Sequence, residues 1–283
     1  MTTAPQPLTD RAALCRNRQR ALTLDPPALF LHELASDEIK ERLKEVNRTF
    51  TKMAIVAPFS EFWGSQFPDA EVIEDTDVLS FSDAGYDLII HAMALHWAND
   101  PVGQLIQCHR ALAADGLFLG VSFGGQTLHE LRTALSEAEV ALTGGLSPHV
   151  IPMGEIRDLG ALLQRAGFAL PVADGFTQTV NYRDLRHLLK DLRAMGETNA
   201  LSDRHRKFAK RDLFALAQSL YSTHFADTEG QLPARFDLIF LTGWAPDDSQ
   251  QKPMRPGSAQ QRLADALNTD ELILPPISVP STD

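Results

Sequence analysis

The stretch from Tyr86 to Arg132 reads YDLIIHAMALHWANDPVGQLIQCHRALAADGLFLGVSFGGQTLHELR. An apolar run, Leu88-Ile89-Ile90, ends in a polar elbow, His96-Trp97-Ala98-Asn99-Asp100. A helix-length segment follows Pro101. Ala114-Asp115-Gly116 then makes a turn into a second apolar run, Leu117 to Phe123, which Gly124-Gly125 stops. Strand, crossover helix and strand in that order predict a parallel βαβ unit, whose ligand side lies at the carboxyl ends of the strands. The strand before such a unit ordinarily carries a glycine-rich loop that lets the backbone approach a cofactor. Here no glycine occurs before Gly64.

Outward from that unit, Leu8 to Leu24 and Ala28 to Val46 read as helices. The second carries Leu31, Leu34, Ile39, Leu43 and Val46 near helical spacing, and Asp25-Pro26-Pro27 separates the two. Thr51 to Ala57 is a short strand ended by Pro58, Glu61 to Phe67 a turn of helix, and Ala70 to Ile73 a second short strand. Downstream, Gln126 to Leu142 and Gly154 to Ala166 are helices with glycines just past their ends, where a left-handed cap favours them. Val172 to Tyr182 is extended, Arg183 to Met195 and His205 to Phe225 are helical, and Arg235 to Trp244 is the last strand. Beyond Ala245 prolines interrupt everything except a short helix at Ala259 to Leu267, so that end reads as a tail. The expected division is 1–50 as N-terminal helices, 51–245 as the α/β domain and 246–283 as the tail.

The acidic residue, the YDLI strand, the LHW elbow and the DGLF strand together resemble class I S-adenosylmethionine-dependent methyltransferases. The longer pieces FGGQTLHELR, SPHVIPMGEIRDLGALLQRAGF, DLRAMGETNAL and PARFDLIFLTGWAP resemble the methyltransferase-like assembly factors of respiratory complex I, from about Thr9 to Ala259. A weaker likeness, mainly in the elbow, goes to the malonyl-carrier-protein methyltransferase of biotin synthesis. The resemblance implies an α/β, Rossmann-like sheet with a truncated N-terminal half and helical insertions before the last strand. It also implies S-adenosylmethionine as cofactor and a complex I subunit as partner, one relative being linked to arginine hydroxylation on an iron–sulfur subunit.

Composition limits the alternatives. The chain has 283 residues, with 26 basic and 37 acidic side chains giving a net charge of −11. That balance argues against a general nucleic-acid binder. Basic residues nevertheless cluster, as Arg11, Arg16, Arg18 and Arg20 and again as Arg204, Arg206, Lys207, Lys210 and Arg211; these read as solvated helix faces. Cys15 and Cys108 stand in separate elements without a CxxC pair, as in a reducing compartment. No apolar run reaches the roughly 18 residues a membrane span needs, and MTTAPQPLTD has neither the basic start nor the apolar core of an export signal. The expected location is cytoplasmic.

The candidate site follows the strand ends. After the first strand stand Ala57-Pro58-Phe59-Ser60-Glu61-Phe62-Trp63, where proline lacks an N–H and the aromatics are bulky. About 20 residues separate Ile55 from Asp75, whereas two full strand–helix units need roughly twice that. The spacing therefore predicts that a strand–helix unit is deleted together with the loop. By resemblance, Asp75 matches the family's acidic residue that contacts the adenine amino group, and His96 and Trp97 border the cofactor and substrate cleft. His91 and His96 lack a third ligand at metal-binding spacing, so no metal site is expected. Gly124, Gly125 and Gln126 stand at the same rim, where the glycines either admit a ligand or simply make the turn. Arg132 and Glu130 read as either a surface pair or part of the cleft. His149, in the GLSPH loop, is either an acid–base group or an ordinary loop histidine.

Overall fold

Alternation within Tyr86–Ala92 (β3) and Leu112–Gly124 (β4) sends Leu88, Ile90, Leu117, Leu119, Val121 and Phe123 to one face of a sheet, and Ile89 and Phe118 to the other. Helices cover both faces, and the strands are accordingly apolar almost throughout. The structure, a computed structural model, describes residues 6–24, 27–206, 209–251, 265 and 269. Residues 1–247 form one compact unit and 248–283 a second. The expected short helix at 259–267 falls mostly outside the described residues.

Among the described residues the sheet has six strands in the order β2-β1-β3-β4-β6-β5. Met53–Val56 (β1), Ala70–Ile73 (β2), β3 and β4 run parallel, while Leu232–Trp244 (β6) and Ala169–Tyr182 (β5) form an antiparallel edge. Ser60–Gln66 (α3) connects β1 to β2, and Pro101–Ala111 (α4) is the crossover between β3 and β4. Asp100 caps α4 by accepting from the Gly103 N–H at 2.8 Å, with Pro101 at the first helical position. Phe30–Glu45 (α2), His129–Thr143 (α5), Leu185–Ala194 (α7) and Arg211–Phe225 (α8) pack against the first face, while α4 and Ile156–Ala166 (α6) cover the second. Gly144 and Gly167 end α5 and α6 at φ of 71° and 93°.

The shortening of the N-terminal half lies elsewhere than the spacing argument placed it. The β1–α3–β2 unit is complete, and Asp75 stands just past the end of β2. What is short is residues 74–85, which pass from β2 over β1 to β3 without a helix or strand. A parallel crossover ordinarily carries a helix in such a segment.

Trp63 of α3 is fully buried, and its indole N–H donates to His32 Nδ1 of α2 at 3.3 Å. Burial holds the His32 imidazole neutral down to about 3. An unfolded histidine binds a proton below about 6.5, so acidification favours the unfolded chain between those two values. Denaturant titrations at pH 7 and pH 5 should show the wild type losing up to about 1.4 kcal/mol per pH unit more than His32→Gln, which keeps an acceptor without titrating.

Candidate binding site

The carboxyl ends of β1, β2, β3 and β4 converge on one rim, and three apolar residues there occupy the left-handed backbone region. Phe59 (φ 54°) follows β1, Met93 (φ 51°) follows β3 and Leu128 (φ 54°) follows β4. Each costs about 1–2 kcal/mol relative to ordinary conformations. Strain of this kind concentrates where a structure presents groups to a ligand or partner.

The N-terminal helix Arg11–Leu22 (α1) lies across this rim. Asp10 caps it, accepting from the Ala13 N–H, and Ala13 and Leu14 join a small apolar cluster with Trp97, Ile151, Ala200 and Leu201. Arg18 donates from Nη1 to both Asp75 oxygens at 2.7 and 2.8 Å, and Arg11 donates to the Asp75 side chain and backbone carbonyl. The Arg18 and Asp75 side chains are only 11% and 7% exposed, so this is a buried ion pair. Arg204 closes onto Asp10 at 2.9 Å, and the Thr9 N–H donates to Asn99 Oδ1 at 2.8 Å. The basic clusters therefore include working ion pairs, where solvated faces were expected. Residues 11 and 18 are seven apart, two turns of one helix face, with Leu14 between them, and that spacing was the available signal.

The loop after α7 locks the assembly. A Cβ on Gly196 (φ 77°) would lie 3.1 Å from Arg18 Cα and 3.2 Å from Phe59 Cζ, so glycine permits α1 and the β1 turn to meet there. Glu197 accepts from the Trp97 indole N–H at 2.7 Å through Oε2, which also lies 3.3 Å from His96 Nε2. Burial pushes the Glu197 carboxyl up, but His96, Arg18 and the Trp97 donor outweigh it and hold the carboxyl below the usual value. Asn199 donates to the Pro148 carbonyl at 2.7 Å and accepts from the Leu201 N–H at 3.0 Å. The LHW elbow and the GETN segment, about a hundred residues apart, thus form one unit.

Beside this unit is a cavity of about 240 Å³ between α5, α7, α8 and the 149–153 loop. Trp97, Phe123, Leu131, Leu192 and Phe236 give it an apolar lining, with Glu197, Asn199 and His149 among its polar groups. His149 Nε2 is 3.1 Å from Glu139 Oε2, so its outer nitrogen is tied to α5. Of the residues expected at a cleft, Trp97 and His149 line this cavity, His96 supports it through Glu197, and Asp75 stands under α1. Gly124, Gly125, Gln126 and Arg132 do not line it. Gly124 and Gly125 make the turn against β6: added Cβ atoms would lie 2.6 Å from Ile239 Cγ1 and from Asp237 Oδ2 respectively. The Gln126 N–H donates to Asp237, and Arg132 reaches back to the Thr127 carbonyl. Asp237, which the sequence reading passed over, also accepts from Thr177 and Arg235; these donors hold its carboxyl low against the raising effect of burial. His91 pairs with Gln104 at 2.8 Å inside the second face.

Residues 35–120 match a methyltransferase domain family. The mitochondrial arginine-hydroxylase NDUFAF5 of Danio rerio is 38% identical over 74% of this chain and 64% of its own length. A malonyl-[acyl-carrier protein] O-methyltransferase of Xylella fastidiosa is 33% identical over 66% of this chain and 60% of its own. The chain thus spans less than two thirds of the length of these relatives. Among solved structures, the YcgJ protein of Bacillus subtilis aligns with a TM-score of 0.42 at 14% identity, over 70% of this chain and 83% of that one. Residues 35–120 are thus similar to a methyltransferase domain, and most of the chain is similar to the NDUFAF5 arginine-hydroxylases of Danio rerio and Homo sapiens. Among the described residues no helix is long and apolar enough to cross a membrane.

Breaking one side of a buried ion pair leaves the other charge stranded, at about 3–5 kcal/mol. Asp75→Asn, which strands Arg18, should destabilise the fold on that scale in urea denaturation, and Arg18→Met should cost less, because Arg11 still reaches Asp75. The double variant should cost less than the two single costs added, because each removes the other's unpaired group.

Proposed function

We propose that this methyltransferase-family chain is an assembly factor of respiratory complex I (NADH:ubiquinone oxidoreductase), binding or acting on an arginine-bearing subunit, with weak or lost S-adenosylmethionine binding. The observation that carries the reading is the position of α1. Arg18 and Arg11 take up the Asp75 carboxylate that would hold a cofactor, so the cavity there is lined by paired charges, and a second, mainly apolar cavity lies beside Trp97 and Glu197. The names of the NDUFAF5 relatives supply the arginine, and the chain's net charge of −11 suits a basic segment.

S-adenosylmethionine does not fit these residues in the way the resemblance implies. Asp75 is already engaged by two guanidinium groups. The turn after β1 offers Pro58, which has no N–H, and Phe59, whose side chain is buried, where a glycine backbone would approach the cofactor. Losing several hydrogen bonds at about 1–3 kcal/mol each weakens a micromolar site by orders of magnitude. The role of this chain's own residues is to bind and orient: Trp97, held by Glu197, forms a fixed wall, and the 149–153 loop, held by Asn199 and Glu139, forms the facing side. The thiols of Cys15 and Cys108 are both free, which suits a reducing cytoplasmic setting.

The likeness to acyl-carrier methyltransferases supports a second reading, a small-molecule or acyl-carrier enzyme. Two measurements separate the readings. Calorimetric titration should give no dissociation constant for S-adenosylmethionine at or below about 10 µM; a tighter value favours the enzyme. Deleting the gene should lower assembled complex I on native gels, and normal levels would overturn the assembly reading.

A further inference from the structure

Glu197 presents an imbalance that the fold leaves open. Its side chain is 9% exposed, and Oε2 carries both the Trp97 bond and the His96 contact. Among the described residues Oε1 makes no hydrogen bond, yet Glu197 lines the apolar cavity. The other buried carboxylates at this rim contrast with it: both oxygens of Asp75 and both of Asp237 are taken by donors. A buried carboxylate in apolar surroundings is costly unless its acceptor positions are filled. His96, Arg18 and the Trp97 donor favour the ionised form over the raising effect of burial.

We propose that Glu197 Oε1 is the acceptor for the guanidinium of an arginine side chain that enters this cavity from a bound protein segment. This rests on the arginine-bearing partner proposed above and assigns the group that recognises it. The lining supports a guanidinium over a compact ammonium. Trp97, Phe123 and Phe236 offer aromatic faces on which a planar cation stacks, and Leu131, Leu189 and Leu192 suit its alkyl stem. At the mouth, Arg193 is exposed and makes no side-chain hydrogen bond or ion pair among the described residues.

The test compares N-acetyl-arginine-N-methylamide with its citrulline counterpart, a neutral isostere, and with the lysine analogue, in NMR titrations of the full chain. The wild type should bind the arginine probe at least about tenfold more tightly than citrulline, the scale of one charge-assisted hydrogen bond. Lysine should fall between. Glu197→Gln keeps an acceptor for Trp97 and should bring the arginine and citrulline affinities together. Leu189→Trp, which narrows the cavity and leaves Glu197 in place, should weaken both probes. A wild type that does not distinguish arginine from citrulline, or a folded Glu197→Gln chain that still does, overturns the assignment. If Glu197→Gln fails to fold, the wild-type preference and the Leu189→Trp loss decide alone, and absence of either overturns it. The two proposals fail separately. Complex I loss on deletion together with no arginine preference removes Glu197 and keeps the assembly reading, whereas normal complex I removes that reading whatever the probes show.

Discussion

The buried pair between Arg18 and Asp75 is the constraint on which the arrangement of the rim depends. Taking two charges out of water costs several kcal/mol for each ion, and the attraction offsets that only with good geometry and additional hydrogen bonds. Here Arg18 reaches both carboxylate oxygens and Arg11 adds further donors, including one to the Asp75 carbonyl. Among the described residues Arg18 Nε and Nη2 have no hydrogen-bond partner, so the pair is held by its surroundings as much as it holds them. Those surroundings are the capped start of α1, the Asp10–Arg204 bridge and the glycine contact at Gly196. A helix with few apolar anchors of its own is thereby fixed over the ends of β1 and β2.

Fixing α1 has consequences for the neighbouring cavity. Leu14 packs in one cluster with Trp97 and Ile151, so the helix that covers Asp75 also backs the cavity wall. Trp97 is oriented by Glu197, and Glu197 follows the glycine against which Arg18 rests. The Asp75 end of the rim and the cavity are therefore mechanically one structure. The same strand ends carry two neighbouring cavities, one of about 290 Å³ beside Arg18 and Asp75 and one of about 240 Å³ beside Trp97 and Glu197.

The opposite side of the rim is organised by Asp237. Its carboxylate gathers Gln126, Thr177 and Arg235, and its backbone N–H donates to Thr127. The Gly124-Gly125 turn can then fold tightly onto β6 and deliver Leu128, in a left-handed conformation, to the cavity. The strain at Leu128 is sustained by these bonds and by its N–H donating to the Arg235 carbonyl at 2.7 Å.

Local pattern determined much of this protein. The alternation in β3 and β4, the Asp100-Pro101 helix start, the glycine caps after α5 and α6 and the short strand Ala70–Ile73 depend on residues close in sequence, so they were readable there. The missing glycine loop was legible for the same reason. The placement of Asp75 was not. Counting residues suggested a unit deleted before it, whereas strand pairing puts the deletion after β2, because which strand neighbours which is a non-local choice. The basic runs were equally opaque. Whether Arg11 and Arg18 face water or a carboxylate 57 to 64 residues away depends on how α1 docks. The cavity, and Glu197 with one oxygen open to it, exist only once α1, the LHW elbow and the GETN segment meet, and burial of charge is a property of that meeting rather than of any segment.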